Sequence, residues 1–217
     1  MNRIFEIQKI IIIIIINRSQ YICLLGIEGS GKTAICNLIL RSLPLITESP
    51  SNIEAMIEKV NKVIKAFCGA CTINNEVSNR FGKMIRINFD QTGRMKEIQF
   101  LPHLFEKFRV VQRPLNESNF LIFYQLIKGV SLGEREFLGI QDIGYYRYLQ
   151  SWSPTCSEND LNIVRDCMSS IGFSDYQIDS LFEVASVVLL LGNVKFIKTP
   201  GGVKIENIEG NHFIQKK

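Results

Sequence analysis

The chain has few of the residues that build metal and redox centres. It has two histidines, His103 and His212, and its six cysteines are scattered as Cys23, Cys36, Cys68, Cys71, Cys156 and Cys167. Cys68-Gly-Ala-Cys71 has the C-x-x-C spacing, but no second pair follows at zinc-site distance, so these cysteines read as packing thiols. With no secretory signal evident, reduced thiols in the cytosol are the expectation. The net charge of +4 is mild and dispersed, which names no nucleic-acid partner. Ile10–Ile16 is the longest unbroken apolar run, and Asn17-Arg18-Ser19-Gln20 interrupts it before it could span a membrane. It reads as a buried helix or strand, and in isolation it would be an aggregation hazard. No internal repeat is visible. A hydrophobic content of 46% over 217 residues supports a real core, in one large domain or two small ones.

The informative stretch runs from Tyr21 to Thr33. Its last eight residues, Gly26-Ile27-Glu28-Gly29-Ser30-Gly31-Lys32-Thr33, fit G-x-x-x-x-G-K-[ST]. Gly29 and Gly31 let the backbone curl so that successive N–H groups point at one anion. Lys32 then reaches the β- and γ-phosphates of a nucleotide, and the Thr33 hydroxyl takes one magnesium position. Tyr21–Leu25 is apolar and suits a buried strand. After the loop, Ile35, Leu38, Ile39 and Ser42 share one helical face, and Pro44 is expected to stop that helix. Strand, glycine loop and helix stand in the order a phosphate site requires, because the positive helix end favours the same anion.

Further along, Ser51 or Asn52 is expected to cap a helix over residues 53–67, with Ile53, Met56, Ile57, Val60, Ile64 and Phe67 on its apolar face. Met84–Phe89 alternates, placing Ile85, Ile87 and Phe89 on one side, and Asp90-Gln91-Thr92-Gly93 turns it back along residues 94–100. Residues 101–111 read as a short helical piece or a strand leading into one, and 120–127 as a strand or helix. Ser157 is expected to cap a helix over 158–170, with Leu161, Val164, Cys167 and Met168 inward. Ser174 is expected to cap a helix from Asp175 to Leu191 that buries Ile178, Leu181, Phe182, Ala185, Val188 and Leu189 and ends at Gly192.

Taken together, these segments resemble a piece of a myosin motor domain. The loop is similar to the family's G-E-S-G-A-G-K-T, with Ile27-Glu28 in place of Glu-Ser and Ser30 in place of Ala. Asn61–Phe67 resembles N-P-x-L-E-A-F, and Asn79-Arg80-Phe81-Gly82-Lys83 resembles the end of switch I, N-x-N-S-S-R-F-G-K. Arg109-Val110-Val111, Asn119-Phe120 and Ile122–Leu126 match R-V-V…N-[FY]-H-I-F-Y-Q-L. Tyr146-Arg147-Tyr148-Leu149, Ile171–Ser174 and Leu189–Val194 match further markers. The likeness covers residues 19–196.

The resemblance implies an α/β fold: a P-loop NTPase-type core sheet with flanking helices, followed by a mainly helical part. Residues 19–128 would form the P-loop and switch I core, 129–196 a helical upper-region piece and 197–217 a tail. It also implies an actin-based motor ATPase of the cytoplasm and cytoskeleton, using ATP and Mg2+, with an actin filament as partner. Gly26, Ile27, Glu28, Gly29, Ser30, Gly31, Lys32, Thr33 and Asn75 would bind nucleotide, Thr33 and Asn79 magnesium, and Lys32, Ser78 and Arg80 would serve catalysis. In the family the switch I arginine pairs with a switch II glutamate when the site closes.

Some residues depart from that pattern. Asn79 stands where the family has a magnesium-ligating serine, and Glu76 and Val77 replace asparagines, with Glu76 adding negative charge beside a polyphosphate. The family's switch II segment, D-[IL]-x-G-F-E, and most of its actin-binding region are not in the sequence. Asp142-Ile143-Gly144-Tyr145 is only superficially like switch II, and an exposed loop is the better reading. Nucleotide binding with impaired hydrolysis is therefore the expectation. The alternatives are another P-loop enzyme, such as a small-molecule kinase, or a non-catalytic remnant acting as an interaction module.

Overall fold

The computed structural model describes residues 10–16, 19–48, 52–150 and 153–206; Ser51 and residues 207–217 of the expected tail lie outside them. In chain order the described elements are β1 (Ile10–Ile16), β2 (Ser19–Leu25), α1 (Lys32–Ile46), α2 (Asn52–Cys68), β3 (Gly69–Ala70), β4 (Ser78–Asn79), β5 (Gly82–Phe89), β6 (Met95–His103), α3 (Leu121–Gly129), α4 (Leu132–Leu138), α5 (Asp160–Ser170), α6 (Asp175–Leu191), β7 (Phe196–Thr199) and β8 (Gly202–Ile205). Short 3-10 turns at Lys107–Val110, Ile143–Tyr145 and Arg147–Leu149 link them. The chain divides into two units, residues 1–57 with 83–101 and residues 58–82 with 102–217.

Helices and strands are mixed, as expected for α/β content. A core sheet is not seen: among the described residues the strands pair only in twos, β1 with β2, β3 with β4, β5 with β6 and β7 with β8. The isoleucine run is a strand, antiparallel to β2, with Ile10 opposite Leu25 and Ile16 opposite Ser19. The loop-bearing strand is not buried as its composition suggests; Tyr21, Ile22 and Leu25 remain about half exposed. α1 also departs from expectation. It continues through Pro44 to Ile46, burying Leu40 and Pro44 and leaving Leu38 exposed. A proline removes one helical hydrogen bond and crowds the carbonyl of the preceding turn, but near a helix end little ladder remains to be lost.

The hairpin follows its alternation. Ile85 and Ile87 are half-buried while Met84, Arg86 and Asn88 are exposed, although Phe89 is exposed as well. Asp90 fixes the turn, its carboxylate accepting hydrogen bonds from the Thr92 and Arg94 amides at 2.8 and 3.0 Å, and Gly93 takes the positive φ of 83°. In α2, Ile57 and Ala66 are buried and Met56 is exposed, against the expected apolar face.

The second unit holds a dense core. α3, α5 and α6 pack together, and Tyr124, Leu126, Leu161, Phe182 and Leu189 are almost wholly enclosed. Burying each such side chain contributes roughly 1.5–3 kcal/mol. α6 starts and stops where its sequence indicates. Ser174 and Gln177 close a capping box, the Gln177 amide donating to Ser174 Oγ and Gln177 Oε1 accepting from the Ser174 amide. Leu181, expected inside, is 38% exposed. α5 begins at Asp160, two residues later than expected, because Ser157 Oγ accepts from the nearby Asn159 amide in a local turn.

Gly192 ends α6 in ordinary helical geometry, so it is not there for left-handed φ. Its role is close approach: a Cβ at this position would lie 2.5 Å from the Tyr148 ring. Beside it, Asn193 accepts from the Arg147 amide at 2.9 Å and donates to the Tyr145 carbonyl at 2.8 Å. Two of the segments that carry the resemblance therefore meet as packing partners.

Candidate functional site

The predicted site residues fall into two groups, one in each unit. In the first, β2 ends at Leu25 and α1 begins at Lys32, so residues 26–31 form the intervening loop. Gly29 and Gly31 have φ of 79° and 80°, the left-handed region that a side chain would strain. Gly31 is the N-cap of α1 and supplies no side-chain bond, and no acidic residue lies in the first turn. The first turn of this helix therefore carries no acidic side chain of its own to offset its positive end.

The Lys32 ammonium folds back over the loop. It donates to the carbonyls of Gly26 and Ile27, each at 2.6 Å, with Ser30 Oγ at 3.5 Å. Ser30 is buried, and its amide donates to the Ile27 carbonyl at 3.2 Å. Ile27, Glu28, Gly29 and Thr33 face solvent. An ammonium resting on two carbonyls can exchange them for phosphate oxygens of greater negative charge.

The second group lies in the loop between β3 and β4. Thr72 and Asn75 close a tight turn: the Thr72 amide donates to the Asn75 carbonyl at 2.9 Å, and the Asn75 amide to Thr72 Oγ1 at 3.2 Å. Pairing of Ala70 with Ser78 and of Gly69 with Asn79 pins the far side of the loop. Ser78, Asn79 and Arg80 are all half-buried, and the Arg80 amide donates to the Cys68 carbonyl at 2.8 Å.

Arg80 is not a solvated loop residue. Its Nε donates to Glu106 at 2.5 Å, and the same carboxylate oxygen accepts from Arg109 Nε at 3.1 Å. Arg109 is fully buried and is further held by Glu117 at 2.6 Å and by the Ser118 carbonyl at 3.0 Å. Partial burial pushes the Glu106 carboxyl up, but hydrogen bonds from Arg80 and Arg109 outweigh it and hold the group below the usual carboxylate range. The buried polar chain extends to Asn119. Its amide nitrogen Nδ2 donates to the Val110 and Tyr148 carbonyls, each at 3.0 Å, and its backbone N–H donates to the Tyr124 hydroxyl, also at 3.0 Å.

Glu106 and Glu117 escaped the sequence reading, and Arg109 entered it only as the first residue of the R-V-V marker, with no partner assigned. Arg80 and Glu106 are 26 residues apart, and only the spacing of Glu106 from Arg109, one helical turn, hinted at a pair.

Among the described residues no group of three or more histidine, cysteine or acidic side chains could hold a metal. Burial raises the Cys68 and Cys71 thiols, which suits packing and not a thiolate site. Asp142 is fully exposed, 3.6 Å from Arg135, in keeping with a surface loop. No helix among the described residues is long and apolar enough to cross a membrane.

Comparison with known proteins agrees with the segments traced above. Residues 5–215 match the family described as myosin head (motor domain). The chain is 33% identical over 184 residues to unconventional myosin heavy chain 6 of Caenorhabditis elegans, covering 82% of this chain and 9% of that protein. It is 34% identical over 184 residues to myosin-I heavy chain of Dictyostelium discoideum, covering 82% and 8% respectively. Against unconventional myosin-Ia of Bos taurus it is 34% identical over 210 residues, covering 92% and 20%. It thus spans at most about one fifth of the length of these relatives. On the extent of the match and the level of identity, the chain belongs to the myosin head (motor domain) family.

Proposed function

We propose that this chain is the nucleotide-binding part of an actin-based myosin motor, acting in the cytoplasm on the cytoskeleton. One observation carries the reading: two positive-φ glycines and the Lys32 ammonium are gathered on a single loop at an uncapped helix start. Residues Gly26–Thr33 hold the phosphate tail of ATP, and Lys32 leaves the Gly26 and Ile27 carbonyls to meet the β- and γ-phosphates. Asn75 adds a contact to the nucleotide. The donors assigned to Mg2+ are the Thr33 hydroxyl and the Asn79 amide oxygen. Such a sparse set suits magnesium, which arrives with the nucleotide and keeps most of its ligands as water and phosphate oxygens. Ser78 and Arg80 place charge and hydrogen bonds where the transferring phosphoryl group develops negative charge.

β1 and β2 belong, in this reading, to a larger core sheet, which the half-exposed Tyr21, Ile22 and Leu25 would help to bury. Hydrolysis is expected to be slow. Asn79 replaces the hydroxyl ligand, and Glu106 already engages Arg80.

Labelled ATP with magnesium tests the reading. Lys32→Ala should weaken binding by about tenfold or more, as expected for loss of a charge-assisted bond. Equal affinity in parent and variant would reject the loop as the site. Turnover assays with and without actin filaments test the remainder, and full actin-activated rates would reject slow hydrolysis.

A further inference from the structure

The hairpin of β7 and β8, in the second unit, turns its apolar side chains to solvent. The strands run antiparallel, with Phe196 opposite Ile205, Ile197 opposite Lys204, Lys198 opposite Val203 and Thr199 opposite Gly202. Residues directly opposite share a face, as do residues two apart along one strand. Phe196, Lys198, Val203 and Ile205 therefore lie on one face of the ribbon, and Ile197, Thr199 and Lys204 on the other. Phe196 and Val203 are 67% and 64% exposed, and Ile205 is nearly half exposed. Three large apolar residues gathered on one small face are not the scattered single exposures of an ordinary surface. The form of the hairpin comes from its own bonds: the Glu206 amide donates to the Lys195 carbonyl at 2.9 Å, and Thr199 Oγ1 donates to the Gly202 carbonyl at 3.2 Å. At the tip, a methyl group added to Gly201 or Gly202 would meet nothing within 4 Å.

Charge and size indicate what covers this face. Over residues 195–206 three exposed lysines, Lys195, Lys198 and Lys204, stand against one glutamate, Glu206, and the tip from Thr199 to Gly202 carries no charge. Four residues in each strand make a face roughly 13 Å long and two strands wide. That falls well short of the roughly 800 Å² that each partner gives to a stable protein interface. It suits a bilayer surface, where an apolar face sinks about 5–10 Å into the headgroup layer and lysines are drawn to anionic lipid. We propose that the β7–β8 hairpin is a peripheral contact for an anionic phospholipid surface. Phe196, Val203 and Ile205 enter the headgroup layer, and Lys195, Lys198 and Lys204 meet the lipid phosphates and carboxylates. The contact lies on the bilayer and does not cross it. It uses residues of the second unit only and does not rest on the phosphate loop.

Flotation of the full chain with vesicles tests this, using phosphatidylcholine mixed with phosphatidylserine and phosphatidylcholine alone. The parent should float with the anionic vesicles and stay behind with the neutral ones, and added salt should release it. Lys198→Glu/Lys204→Glu should weaken partition about twentyfold or more, since each lysine near the surface is worth about fivefold. Phe196→Ser/Val203→Ser should weaken it about tenfold or more while keeping the salt dependence. Both pairs should keep the parent's thermal midpoint, because these side chains already meet water. In Phe196→Trp the emission should move to the blue on anionic vesicles, beyond any change in the parent, whose one tryptophan is Trp152. A parent left behind by anionic vesicles overturns the proposal, as does partition that survives either double substitution. Capture by a polyglutamate peptide that needs the lysines but not Phe196 and Val203 would assign the hairpin to an acidic polypeptide, and likewise overturn it.

Discussion

The two units of this chain differ in where their apolar residues go. The second encloses Tyr124, Tyr146, Leu161, Phe182 and Leu189 almost completely and also buries a charged network around Arg109. The first leaves Leu38, Leu45 and Ile46 between 65% and 76% exposed, in addition to half of β2. Among the described residues the unit with the glycine loop thus encloses fewer apolar side chains, and the cluster of buried residues lies in the helical unit. The lesson is that a glycine loop can be locally well formed, with its glycines and lysine set, beside a helix whose Leu38, Leu45 and Ile46 are exposed. Local hydrogen bonds shape the loop, whereas burial fixes the helices.

Substitutions in the two units should break or sharpen that contrast. The largest effect is expected for Phe182→Ala. The side chain is 1% exposed in the α6 core, with the Arg165 guanidinium 5.1 Å from its ring, and its removal should cost about 3–5 kcal/mol in chemical denaturation. Gly192→Ala comes next. The added methyl meets the Tyr148 ring, and a loss of about 1–3 kcal/mol is expected, with the Arg147–Asn193 bond disturbed. Ser174→Ala removes one half of the capping box and should cost about 1 kcal/mol. At the other end, Leu45→Gln or Leu38→Gln in α1 should shift stability by no more than about 0.5 kcal/mol, since those side chains already meet water. A cost for Leu45→Gln as large as that for Phe182→Ala would erase the distinction between the units.

The ion network adds a dependence on pH. Glu106 has its carboxyl pKa depressed in the folded chain, so its contribution is fully present above the ordinary glutamate pKa. It is lost as pH falls through the lower, folded value. The parent should therefore lose stability more steeply than Glu106→Gln below about pH 4, and parallel acid profiles would remove Glu106 from the network's energetics.

Much was legible beforehand. The loop from Gly26 to Thr33 needs only local spacing, and α6 runs from the expected cap at Ser174 to Leu191 as its sequence indicates. The hairpin at Asp90–Gly93 is equally local. The misses share one cause. Whether Leu38, Leu181 or Tyr21 is inside depends on what packs against it, and periodicity names a face without naming its cover. The proline in α1 shows the same limit, since a residue that usually ends a helix is accepted near the end of one.

By itself the sequence determined the glycine loop between β2 and α1, the start of α6 and the motor family, because each depends on residues a few positions apart or on segments in a fixed order. Only the tertiary structure decided that Arg80 is held by Glu106, that Asn193 ties Tyr145 to Arg147 and that Gly192 makes room for Tyr148. Those contacts join residues 26 to 48 positions apart, and nothing in local chemistry selects one distant partner over another until burial brings them together.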